Sequence, residues 1–296
     1  MPWEIDFAFL SFMQLKKSSY YLPKDVTVKI DAALNLSSYL IDWDKTKLPK
    51  QFFIDKFNDL GALLEHYEYN PIVYEGKDNY GFFDVQKLAY EPDIDYYMGL
   101  CPDIYFSEHL LYSLIEAAKQ VPNKYFVITP EIHKMWDSTW DEITNEKYLK
   151  VPYNKWNDGD IFSIRHDLKN SDDEIYLQPT RNSKWAWWAD LYSKEFYETI
   201  APIPDDWTGY GGWDYYAMLL SEYIQKQGLD FQQYLLKGQT IFEYPIGPLK
   251  EKGFVNYHKK YFSIKQDAPN QRKIFEDNLN DSLSKQIQTL KSKNIV

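Results

Sequence analysis

Short apolar runs alternate with amphipathic stretches along the chain. FAFLSF (7–12), VTVKI (26–30), DYYMGL (95–100) and YFVIT (125–129) are rich in β-branched or aromatic residues and end at Pro, Lys-Asp or Cys-Pro breaks, which predicts buried strands. Between them, FFIDKFNDLGALLEHY places Phe53, Phe57, Leu60 and Leu64 at helical spacing, and SEHLLYSLIEAAKQ does the same with Leu110, Leu111, Leu114, Ile115 and Ala118. Tyr216, Leu219, Leu220 and Tyr223 define the inward face of a later helix, YYAMLLSEYIQ. A last helix carries Phe275, Leu279, Leu283, Ile287 and Leu290 at spacings of four and three. Residues 131–185, with WDSTWDE, NDGD and NSDDE, read as loops and short helices.

Strands alternating with helices predict an α/β sandwich, with a largely parallel sheet flanked by helices. No linker tract or internal repeat breaks the 296 residues, so residues 1–262 read as one domain and 263–296 as a helical extension packed on the body or on a partner. Such sheets bind ligands beyond the carboxyl ends of their strands, which directs attention to Cys101-Pro102-Asp103 after DYYMGL.

Composition narrows the classes. With 44% apolar, 18% aromatic and 26% charged residues the chain is globular rather than disordered or coiled-coil. A net charge of −11 opposes sequence-independent attraction to nucleic acid or to anionic membranes. The single cysteine, Cys101, forms no internal disulfide, and no run of 18 apolar residues exists. The apolar N-terminal stretch follows Glu4 and Asp6 and precedes Lys16-Lys17, the reverse of a secretory signal. The expectation is a cytoplasmic protein that does not enter membranes.

Two acids stand where chemistry is plausible. Asp103 follows an apolar strand expected at the sheet centre and precedes a helix; a carboxylate there is a hard ligand for Mg²⁺ or Mn²⁺, and the plainer reading is a turn or capping aspartate. Asp214 sits in DDWTGYGGWDYYAML (205–219), where Gly209, Gly211 and Gly212 permit close backbone approach and a helix then begins. Held among Trp207, Tyr210 and Trp213, it is suited to accept a proton from a hydroxyl while the rings stack on a sugar. Its plainer reading is an N-cap after a glycine turn.

A strand, an acidic DxD-like element and a helix, followed about a hundred residues later by a Gly-x-Gly-Gly-x-Asp turn opening another helix, resemble the nucleotide-sugar-dependent glycosyltransferases of the GT-A fold. Here these elements are DYYMGL-CPD-IYFSEHLLYSLIEAA and TGYGGWDYYAMLL, with WAWWADLYSKEFYETI (185–200) before the turn. The resemblance covers residues 95–225, and residues 1–60 only as a pattern of alternating elements. It implies a Rossmann-like sheet, a nucleoside-diphosphate sugar as donor, UDP-sugar first, and Mn²⁺ or Mg²⁺ at the diphosphate. Asp103 matches the last DxD position, Asp214 the base of inverting members, and His258 in VNYHKKYF the C-terminal histidine that completes the metal shell. Cys101 departs from the pattern at the first DxD acid, and a thiol suits a hard ion poorly.

Further candidates are Arg181, Lys184 and Lys259 for the diphosphate, against the plainer reading of solvated surface charge, and Trp185, Trp207, Tyr210, Gly211, Gly212 and Trp213 around the acceptor or sugar. Trp136 and Trp140, four apart, fit core or interface as well as an acceptor face, and His66, His109, His133 and His166 read as structural. The acceptor is a glycan, a small molecule or a hydroxymethylated DNA base of the phage type, which would have to be flipped out. Two alternatives compete: a glycoside hydrolase with paired carboxylates, and a non-catalytic sugar- or nucleotide-binding protein on the same scaffold.

Overall fold

A computed structural model of the chain describes residues 5–36, 38, 43–45, 48–75, 91, 93–133, 138–149, 174–180, 189–200, 213–243 and 268–296. In chain order these form α1 (Ile5–Ser18), β1 (Lys29–Asn35), α2 (Lys50–Gly61), β2 (Glu68–Tyr74), β3 (Tyr96–Leu100), β4 (Ile104–Tyr105), α3 (Leu110–Ala118), β5 (Tyr125–Ile132), β6 (Tyr176–Thr180), β7 (Ala189–Ser193), α4 (Lys194–Ile200), α5 (Trp213–Lys226), β8 (Phe231–Glu243) and α6 (Ala268–Ser292). The fold is α/β, with a mixed six-stranded sheet flanked by helices and a separate parallel pair, β1–β2.

The main sheet has the order β3-β7-β5-β8-β4, with β6 also on β8. It corrects the expectation of a mostly parallel sheet. Only the β5–β8 ladder is parallel among its described pairs; β3–β7, β5–β7, β6–β8 and β4–β8 are antiparallel. Strand–helix alternation implies parallel strands only where each crossover returns the chain in the same direction. Here β7 enters reversed between β3 and β5, and β4 and β6 are short strands that periodicity left in turns and loops. The strand expected at the centre, β3, is an edge strand among the described strands of this sheet.

FAFLSF is not a strand but the middle of α1. A short apolar run reads equally well as either element; length decides, and Ile5, Ala8, Phe12 and Leu15 are all buried at helical spacing. VTVKI overlaps the start of β1, which runs on to Asn35, and β6 forms inside the stretch read as loop.

Two cores lie on the two faces of the main sheet. On one, Phe126, Ile128, Ala189 and Leu191 pack with Phe12 and Leu15 of α1, Phe53 and Phe57 of α2, and Leu110 and Leu114 of α3. On the other, Tyr97, Val127, Tyr192 and Phe231 pack with Phe196 and Tyr197 of α4, Leu220 and Ile224 of α5, and Leu290 of α6. The C-terminal helix is therefore docked on the body, and Gln286 donates from it to Thr199 O of α4.

Candidate functional site

The ladders make β3, β5 and β8 run in one direction, with β7 opposed, so the carboxyl ends of those three strands meet one edge. The Cys101–Asp103 turn leaves β3 at that edge, and both residues are partly buried. It is clamped from two sides. Ser11 Oγ of α1 shares its proton between Pro102 O at 2.8 Å and Ile104 O at 2.5 Å, and Gln14 Nε2 donates to Phe106 O. From the other side β4, one residue past Asp103, pairs with the end of β8 through Ile104↔Glu243 and Tyr105↔Phe242. A polar side chain buried in a helix needs a partner, and these carbonyls explain Ser11 and Gln14 on the buried face of α1.

Next to this edge lies a buried charged cluster. Glu131, 2% exposed, accepts from Gly238 N at 3.0 Å, from Asn145 Nδ2 at 3.2 Å and from Lys237 Nζ. Asn145 Nδ2 also reaches Thr240 Oγ1 at 2.8 Å. Burial disfavours the Lys237 ammonium, but the hydrogen bond and charge of Glu131 outweigh it and hold the lysine pKa above its ordinary value. The carboxylate is thus committed to its three donors and offers little to an incoming ion.

On the α4–α6 side of the sheet, the residues toward the same edge turn polar. Asp190 pairs in register with Gly99, and Thr129 falls beside it, two residues along from the pair Val127↔Tyr192. Both are fully buried, as is Gln233 opposite Val127. Tyr192 Oη lies 3.4 Å from Asp190 Oδ2. A buried acid inside a strand depends on partners such as this phenol for its stability.

α5 leads directly into β8. Its last turns pack Leu220 and Ile224 on Val127 and Phe231, and a short connection with Gly228 at φ 88° reverses the chain into β8. The helix has 14 residues and is about 21 Å long; Trp213 and Asp214 open it at the end away from that connection. Of the expected site residues, the side chains of Trp213 and Asp214 lie outside the described residues. So do Arg181, Lys184, Trp185, Trp207, Tyr210, Gly211, Gly212, His258 and Lys259. No group of three or more potential ligands gathers among the described residues. Trp136 and His166 are also outside them, and Trp140 is core. His133 is buried between Phe242 and Tyr148, within hydrogen-bond reach of Ile241 O, whereas His66 and His109 lie at the surface against Tyr20 and Tyr21.

Asp190, Glu131 and Lys237 were missed from sequence, although each left a trace. Asp190 interrupts an apolar run in WAWWADLYS, Glu131 closes one in YFVITPEI, and Lys237-Gly238 breaks the strand-like YLLKGQTIFE where a bulge belongs. Neither the protein-family models nor the curated proteins yield a match to this chain. No helix among the described residues is long and apolar enough to cross a membrane.

Proposed function

We propose that the chain is a glycosyltransferase of the GT-A kind, moving a sugar from a nucleoside-diphosphate sugar, UDP-sugar first, to an acceptor hydroxyl with inversion. The observation that carries the reading is topological. Three co-directional strands end at one edge, and the clamped Asp103 turn leaves the first of them; the reading adds that the helix opened by Asp214 faces the same edge.

In this reading Asp214 takes the proton of the acceptor hydroxyl as it attacks the anomeric carbon, and the nucleoside diphosphate leaves from the opposite face. Trp185, Trp207, Tyr210 and Trp213 supply ring faces to the sugars, with Gly211 and Gly212 leaving room for them. Arg181, Lys184 and Lys259 offer cations to the diphosphate. Asp103 is a hard oxygen donor and fits a divalent ion; Cys101, two residues earlier, does not. Mn²⁺ or Mg²⁺ bound by Asp103 and His258 would neutralise charge on the departing diphosphate. The acceptor is a glycan or small molecule, with a hydroxymethylated DNA base less compatible with a net charge of −11.

The test is thermal unfolding against UDP-, GDP-, CMP- and dTDP-sugars, with and without Mn²⁺. A ligand at a hundred times its Kd adds about 2.7 kcal/mol to the folded state. Stabilisation by one nucleotide class is expected, and no stabilisation by any of them sinks the reading. Cys101 at the first acid position favours one rival, a binding protein without turnover, and it predicts stabilisation with no sugar transfer or nucleotide release.

A further inference from the structure

Halfway along its length β8 changes its outer neighbour. From Gln233 to Lys237 that edge is paired with β6, and at Phe242 and Glu243 with β4. Its inner edge stays on β5, but Lys237, Gly238 and Gln239 lie between the pairs Pro130↔Leu236 and Glu131↔Thr240. This detour turns on Gly238 at φ 80°, a conformation that a side chain strains. Glu131 anchors it, taking the Gly238 amide at 3.0 Å while Lys237 and Asn145 satisfy the rest of the carboxylate.

Past the detour, register decides what β4 meets. A slip of β8 would carry Phe242 and Glu243 off Tyr105 and Ile104, and β4 is two residues long with its described ladder on β8 alone. We infer that Glu131 is the positioning residue of the Asp103 turn. Its bond to Gly238 fixes the detour, the detour fixes the β4–β8 pairing, and that pairing, with Ser11, fixes Cys101–Asp103. The inference rests on the reading of Asp103 as the residue that meets metal and diphosphate.

Two double variants of the full chain separate the amide bond from the charge. Glu131→Gln with Lys237→Met removes both charges but keeps an acceptor for Gly238 N; Glu131→Leu with Lys237→Met removes the acceptor too, replacing the buried pair by apolar side chains. Three quantities are measured: urea midpoint, amide hydrogen exchange over 101–106 and 237–243, and calorimetric binding of UDP with MnCl₂. The Leu/Met chain is expected to exchange faster in both segments and to bind Mn²⁺ and UDP at least about tenfold more weakly. The Gln/Met chain is expected to stay within about threefold of wild type in affinity. Wild-type exchange or affinity in the Leu/Met chain overturns the inference, and so does an equal loss in both variants, which would assign the effect to charge. Should the Leu/Met chain fail to fold, Gly238→Ala strains the same φ without touching Glu131. It is expected to show the same two losses, and wild-type values there overturn the inference. Wild-type protein that binds no UDP with MnCl₂ overturns the glycosyltransferase reading, whereas the exchange data, which need no nucleotide, decide separately whether Glu131 holds the Cys101–Asp103 turn.

Discussion

At the amino end of β3, β5 and β8, one face of the sheet offers Tyr97, Val127 and Phe231, with Tyr192 of β7, to Phe196, Tyr197, Leu220 and Ile224 of the covering helices. Toward the carboxyl end, the residues on the same strands become Gly99, Thr129, Glu131 and Asp190, equally removed from water. The first end gains stability from each buried ring, whereas the second must satisfy each buried polar atom before it contributes anything. The first end is held by packing, the second by hydrogen bonds such as those of Glu131 to Gly238 N and Asn145 Nδ2.

The sharpest break of this comparison is Asp214→Asn. It is expected to lower sugar transfer by about 10³-fold, roughly 4 kcal/mol of barrier, without moving the urea midpoint; a midpoint that falls as far as activity would place Asp214 in the structure instead. At the apolar end, Phe196→Ala should cost about 3–5 kcal/mol in urea unfolding, since Phe196 is fully buried and stacked 4.7 Å from Phe231. Nucleotide affinity of the folded fraction should stay unchanged, and a matched loss of affinity would erase the distinction between the ends.

Smaller effects sharpen the contrast. Gly61→Ala removes a poor helix former, yet the new Cβ would meet Tyr69 Cε1 at 2.6 Å, so a net loss of about 1–2 kcal/mol is expected; a stabilised variant would show that the ring moves aside freely. The slightest effect is alkaline. Burial raises the phenol of Tyr197 above its ordinary value and that of Tyr69 to about 12, and Lys237 is raised by Glu131 in spite of its burial. Each folded pKa exceeds its unfolded one, so the stability these groups carry is whole below pH about 10 and is lost as pH rises through the folded values. Urea midpoints that stay level from pH 9 to 12 would contradict those environments.

How far the sequence could be read depended on whether a residue's role is local. The helices α2, α3, α5 and α6 and the strands β3 and β5 lie where periodicity put them, because one apolar face is a property of the segment itself. The direction of β7, the detour in β8 and the polar band escaped, because each depends on which strand arrives alongside. Asp103 was singled out from its place after a strand, but its two clamps, Ser11 and the β4–β8 ladder, come from residues about ninety positions before it and more than a hundred after it.

By itself, then, the sequence determined an α/β chain with amphipathic helices, an acid after β3 and another at the start of α5, since spacing and composition act within a few residues. Tertiary structure alone decided that the sheet is mixed, that β3 lies at its margin and that Glu131 is buried against the Gly238 amide. Strand pairing and the burial of a charge are settled by partners distant in sequence, and no local pattern carries their energies.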